Sequence, residues 1–195
     1  LQLRNSEITT NFDLSYLVGG PKQSDQMTLD MEFVKAKLAT AHRYLPVGID
    51  KDSRLYLSKA FESGEIQNGT LHIKGDPNQA PYPSGTIGEL NLHLPFSKAS
   101  FKPAPLLPKS QGIWQAFSNV SGNIDMKQAS LNIGIDKANY KNVALTNVKS
   151  QIPNLSAKNL TVLINGSVAG DGSEILEYLF ASPVGVQQAN LAKNL

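Results

Sequence analysis

The side chains in this chain that could do chemistry are few and poorly placed for it. There are three histidines, His42, His72 and His93. A helical metal site needs a second histidine or an acid three or four residues on, and none of the three has one on a helix. His72 and His93 fall on the polar side of alternating stretches, where a histidine is solvated surface. No cysteine is present, which excludes thiolate ligands, disulfides and a sulfur nucleophile. A serine nucleophile needs a sharp G-x-S-x-G elbow, whereas Ser84, Ser118 and Ser121 stand in turn contexts. Paired carboxylates could cleave a glycosidic bond. The acids Asp13, Asp30, Glu32, Asp50, Asp52, Asp125, Asp136, Asp171, Glu174 and Glu177 are instead scattered over strand faces, turns and helix starts. Gly170-Asp171-Gly172 precedes a helix but lacks the Lys-Ser/Thr of a phosphate loop, so it reads as an N-cap. Five Asn-x-Ser/Thr triplets, at Asn68, Asn119, Asn154, Asn159 and Asn165, are what an Asn- and Ser-rich chain produces by chance. Trp114 and Phe117 could stack on a sugar, but they read more simply as a plug at the edge of a core. The chain is not read as an enzyme, and no cofactor or metal is expected.

The elements behind these residues are mostly strands. Leu90, Leu92 and Leu94 alternate with Asn91 and His93. Leu131, Ile133 and Ile135 alternate with Asn132 and Gly134. Leu160, Val162 and Ile164 alternate with Thr161, Leu163 and Asn165. Strict alternation gives a strand with one apolar and one wet face, and such strands side by side give a one-sided sheet. In all, strands are expected over 7–18, 26–38, 65–74, 86–95, 120–127, 129–136, 140–152 and 158–168. Asn68-Gly69 marks a turn or bulge. Pro-rich loops fall at 76–85 and 101–108.

Two short amphipathic helices interrupt the strands. One is expected over 53–63, capped by Asp52 or Ser53, carrying Leu57, Ala60 and Phe61 on one face and stopped by Gly64. The other starts at Asp171 with Glu174 three residues on, as in a capping box, and ends at Pro183 and Gly185. Eight to ten strands and two helices, without βα alternation, predict a mainly β fold: a long, antiparallel, curved sheet forming a groove. The chain reads as a single segment over 1–195. A strand hairpin covers 1–43, a helix with strands and Pro-rich loops 44–119, and strands with a C-terminal helix 120–195.

Bulk properties narrow the class. The 195 residues are 41% hydrophobic, enough to bury a core, and only 17% charged. A net charge of +2 gives no electrostatic grip on nucleic acid. No apolar run approaches the roughly 20 residues of a membrane helix. The chain opens Leu1-Gln2-Leu3 without a signal peptide and is read as a segment of a longer protein.

What covers the apolar face is the functional question. A second sheet would make a β-sandwich. A curled sheet would make a groove for acyl chains, at about 0.8 kcal/mol per buried CH₂, or roughly 10 kcal/mol for a sixteen-carbon chain before ordering costs. Alternation alone fits both.

An ordered set of blocks favours the groove. Tyr44-Leu45-Pro46 leads to a short helix through Leu57 and Ala60. There follow a Gly64-Glu65-Ile66-Gln67-Asn68-Gly69 return and a strand ending Lys74-Gly75. Tyr82-Pro83 with Gly85, then Phe101-Lys102-Pro103 with Leu107-Pro108, then Ile152-Pro153-Asn154-Leu155 come next. Val168 to Gly170, a helix and Ser182-Pro183-Val184 close the series. In order and spacing, from about residue 44 to 186, these blocks resemble the YhdP-type AsmA-like proteins of the Gram-negative envelope. The family's patterns there are YLP, G-x-(I/L)-x-x-G, (K/R)G, F-P-x-x-x-G, (Y/F)-x-P-x-W-P, IPDL and SP(V/L). This chain departs at Leu107 for Trp, Tyr82 for Phe and Asn154 for Asp.

The resemblance implies a very long periplasmic protein, anchored in the inner membrane by an N-terminal helix outside this chain. Its β-rich body forms a taco-like groove that moves phospholipid between inner and outer membranes. On that reading the groove is lined by Leu90, Leu92, Leu94, Leu131, Ile133, Ile135, Leu160, Val162 and Ile164. Its partners are phospholipid acyl chains and neighbouring segments of the parent chain, and exposed sheet edges allow self-association. Two alternatives stand beside it. One is a scaffold that assembles outer-membrane proteins by strand-edge pairing. The other is a carbohydrate-binding β-sandwich presenting Trp114, Tyr140 and Tyr178 on a common face.

Overall fold

The computed structural model describes residues 1–46 and 49–193. Nine strands form one antiparallel sheet whose spatial order is the chain order. They are β1 (Gln2–Arg4), β2 (Ile8–Leu17), β3 (Gln26–Lys37), β4 (Phe61–Gly75), β5 (Gly88–Phe101), β6 (Phe117–Lys127), β7 (Ser130–Tyr140), β8 (Val143–Ile152) and β9 (Leu163–Ala169). The edges β1 and β9 do not pair with each other, so the sheet is open and curved. Among the described residues every strand belongs to this sheet, which removes the β-sandwich.

Tight turns explain the meander. Only Gln128 and Ala129 separate β6 from β7, and only Lys141 and Asn142 separate β7 from β8. Gln128 and Lys141 adopt positive φ, as two-residue hairpin loops require. Apart from the three residues between β1 and β2, the other connections are longer and carry the remaining structure. A 3-10 helix (Leu38–Arg43) and α1 (Lys51–Ala60) lie between β3 and β4. The helices α2 (Gly172–Ala181) and α3 (Pro183–Lys193) follow β9. Among the described residues, no helix is long and apolar enough to cross a membrane.

Several local expectations shift. The cap of α1 is Asp50, whose carboxylate accepts from Ser53 N–H at 2.8 Å, so the helix begins earlier than expected. It stops at Ala60 because Phe61 is already extended and begins β4. Gly64 therefore sits inside a strand. At α2 the Asp171 cap is present, at 2.7 Å from Ser173 N. Glu174 does not close a capping box but reaches the β7–β8 turn, accepting from Asn142 N and Nδ2 at 3.1 and 2.9 Å. Pro183 ends α2 and starts α3, an additional helix that Pro tolerates at its first position.

The strands are long because bulges repair their register. In β3, Phe33 and Lys35 pair with Gly69 and Gln67, so Val34 faces Asn68 and the two irregularities coincide. Extra residues also fall at Lys98 in β5, Asn119 in β6, Asp136 in β7 and Asn147 in β8. Asn68, Lys98, Asn119 and Asn147 hold φ near +50°, the left-handed region in which Asn is enriched. Each bulge resets the alternation by one residue. Apolar side chains then sit three apart, as in Phe33/Ala36, Phe96/Ala99, Ile135/Ala138 and Leu145/Val148, yet stay on one face. A row of bulges also bends the strands it crosses.

Candidate functional site

The register stacks the apolar side chains into rungs that run across the strands. Phe12, Met31, Leu71, Leu92, Met126, Leu131 and Ile152 form one rung from β2 to β8. Leu94, Ile124, Ile133, Ser150 and Ile164 form a second from β5 to β9, continued towards β3 by Gly69 and Phe33. These two rungs are half-buried, except for buried Gly69 and exposed Ile164. They make a lane about 7 Å between rungs and, from β2 to β8, about 30 Å long. Half-burial on a continuous apolar surface means that the chain leaves its own floor incompletely covered.

The flanks of the lane are closed. On one side Ile66, Phe96, Ala99, Val120 and Ala138 are buried together with Leu38 of the 3-10 helix. Arg54 of α1 fixes that helix by donating to the carbonyls of His42 (2.7 Å), Leu45 (3.3 Å) and Pro46 (2.8 Å). Tyr56 of α1 donates to Pro103 O at 3.0 Å, and burial raises its phenol pKa. Further along the same side Tyr178 of α2 packs against Tyr140 (4.9 Å between centroids), Phe117 (5.3 Å) and Trp114 (5.8 Å). Burial, with Tyr140 nearby, pushes the Tyr178 pKa far upward. Lys141 Nζ meets Glu177 at 2.5 Å and holds the outside of α2.

The opposite flank is closed by the Pro-rich loop 76–87. Tyr82 is 0% exposed and lies on Ile73 and Leu90, with Met27, Leu29, Leu71, Leu92 and Met126 around them. A Cβ at Gly88 would come 2.2 Å from Tyr82 Cδ1, so only glycine leaves room for the ring. Asp76 shapes the loop by accepting from Asn78 N at 2.9 Å.

The polar face carries two of the three histidines; His42 lies in the 3-10 helix. His72 Nδ1 lies 2.7 Å from Asp30 Oδ1 on β3, and its Nε2 lies 3.7 Å from Glu89 on β5. His93 Nδ1 lies 2.5 Å from Asp125 Oδ1 on β6. These are cross-strand ladder pairs on a solvated surface. Among the described residues no three His, Asp or Glu side chains are placed to hold a metal ion.

The nine groove-lining candidates thus have unequal positions. Leu92, Leu94, Leu131 and Ile133 lie in the half-buried rungs, with Ile164 exposed at the β9 end. Ile135 packs against the closed flank, and Leu90 lies beneath Tyr82. Leu160 (56% exposed) and Val162 (51%) precede β9, which begins at Leu163 rather than near 158. Trp114, Tyr140 and Tyr178 do meet, but they cover one another instead of offering a common open face. Sequence reading missed Met31, Leu71, Ile124 and Met126 as floor residues and Tyr82 as a cover. The available signals were the alternation of β3 and β6, and an aromatic set between prolines opposite a glycine.

The family model described as YhdP protein matches residues 1–193. The intermembrane phospholipid transporter YhdP of Escherichia coli (strain K12) is 30% identical over 145 residues, which is 74% of this chain and 11% of that protein. The aligned region is thus about a tenth of that relative's length. No solved structure matches the chain. With an open antiparallel sheet throughout and the family match running almost end to end, the chain belongs to the YhdP protein family.

Proposed function

We propose that this chain is an internal, non-enzymatic section of a periplasmic groove that conducts phospholipid between the inner and outer membranes. One observation carries the reading: two cross-strand rungs of mostly aliphatic side chains stay half-covered on a face that no second sheet closes among the described residues. Acyl chains laid along that lane gain about 0.8 kcal/mol for each CH₂ they bury, and the head groups remain in water at the opening. No directional bond fixes the tail, so it is free to slide. Leu92, Leu94, Leu131, Ile133 and Ile164 contribute to the floor, with Met31, Leu71, Ile124 and Met126. Neighbouring segments add strands to β1 and β9 and lengthen the lane. The relative's name, intermembrane phospholipid transporter, and its far greater length support this.

Placing charge on the floor tests it. In the full-length protein, Ile124→Asp with Ile133→Asp is expected to arrest phospholipid transfer, while Asn123→Asp with Asn132→Asp on the polar face leaves it intact. Equal transfer by both variants contradicts the proposal.

A second reading, a scaffold for outer-membrane proteins, draws on β9, whose residues are all exposed and whose outer edge carries no strand among the described residues. Crosslinks from β9 to barrel precursors, without lipid on the floor, would favour it.

A further inference from the structure

We propose that loop 76–87 is a flap and Tyr82 its placeholder: the ring occupies apolar floor that hydrocarbon takes when the loop lifts. The inference rests on the lipid-groove reading and adds a moving part to it. Three observations converge on Tyr82. Its ring is wholly buried on Ile73 and Leu90, beside the half-open rung of Leu71 and Leu92. Its hydroxyl, though buried, meets no hydrogen-bond partner among the described residues. Its backbone sits at φ +57°, uncommon for a residue with a side chain.

An aromatic ring kept in place for packing alone would be better served without that hydroxyl, since an unpartnered buried polar group is costly. The loop is also held lightly. Its bonds stay within the loop: Asp76 accepts from Asn78 N (2.9 Å) and Gln79 N (3.0 Å), Gln79 O from Tyr82 N (2.9 Å) and Pro83 O from Thr86 N (3.0 Å), and Ile87 at its end is 90% exposed. The closed position is therefore held by the packing of the Tyr82 ring and opposed by its unpartnered hydroxyl. Lifting the loop returns the phenol to water and uncovers Ile73 and Leu90, widening the lane by one rung. The apolar area vacated by the ring is the area an acyl chain would cover, so hydrocarbon and Tyr82 compete for one surface.

The chain has no cysteine of its own, and peptide mass assigns the reaction of Leu90→Cys or Leu92→Cys to its own position in the full-length protein. The probes are a hexadecyl methanethiosulfonate and a small charged one. Leu92→Cys is expected to react with the alkyl reagent, and Leu90→Cys at least about fivefold more slowly. Tyr82→Ala should bring Leu90→Cys to the Leu92→Cys rate, with the Leu92→Cys rate unchanged as the check on folding. Tyr82→Phe, which keeps the ring and removes the unpartnered hydroxyl, should slow Leu90→Cys by a further factor of about five. If Leu90→Cys reacts as fast as Leu92→Cys while Tyr82 is intact, there is no flap. If Tyr82→Phe leaves the rate unchanged or raises it, the hydroxyl does not set the balance and the proposal fails. A Leu92→Cys that takes the charged reagent and refuses the alkyl one contradicts the lipid groove itself, and the flap with it.

Discussion

Tyr178 shows how one residue can hold an end of this sheet. Its ring touches Trp114, Phe117 and Tyr140, which come from a loop and two different strands, so truncation opens a cavity no neighbour can fill. Tyr178→Ala is expected to cost about 3–5 kcal/mol, read by denaturant unfolding. Its raised pKa adds a pH signature. A phenol that holds its proton more tightly when folded stabilises the fold fully below its unfolded value of about 10, and that contribution is lost as pH rises beyond it. Stability should therefore fall on the alkaline side, and Tyr178→Phe should flatten the fall. Trp114 with Phe117 as a plug, and the grouping of Trp114 with Tyr140 and Tyr178, were legible in sequence. That they cover one another was not, because Tyr140 and Tyr178 meet only once β7 and α2 are in place. The histidines teach the same lesson: His72 with Asp30 and His93 with Asp125 are about thirty to forty residues apart, joined by register alone.

At the scale of elements, the strands were legible and their ends were not. Alternation located all the long strands, but β4, β5 and β7 each run past the point where simple alternation stops. The cause is the bulge, which replaces a spacing of two by a spacing of three without changing face. Asn68-Gly69 signalled one such place, whereas Lys98 and Asp136 carry no comparable signature. The Gly64 stop failed because the backbone becomes extended at Phe61, before that glycine is reached. Helix α1 owes its position to Arg54, which bonds three carbonyls of the preceding segment. Arg54→Lys keeps the charge but loses the planar fork, and should destabilise by about 1–3 kcal/mol, with faster amide exchange over residues 38–43 and 51–60. Were exchange there unchanged, the helix would be held by packing of Leu38 instead.

For the whole molecule, the central fact is asymmetry. One face carries charge ladders and histidine–aspartate pairs; the other carries aliphatic rungs, sealed on both flanks and half-open between them. Composition and alternation implied that asymmetry without deciding between a second sheet and an open lane. Topology bears on that choice: among the described residues nine strands stand in chain order with neither edge turned back on the other, which is consistent with a groove. The most direct measurement is a photo-crosslinking scan of the full-length protein in cells, with the crosslinker at Leu92, Ile124 and Ile133 on the floor and at Thr70, Asn91 and Asn132 on the polar face. Phospholipid adducts are expected at the floor positions and absent from the polar ones. Adducts distributed equally over both faces, or on neither, would contradict the account.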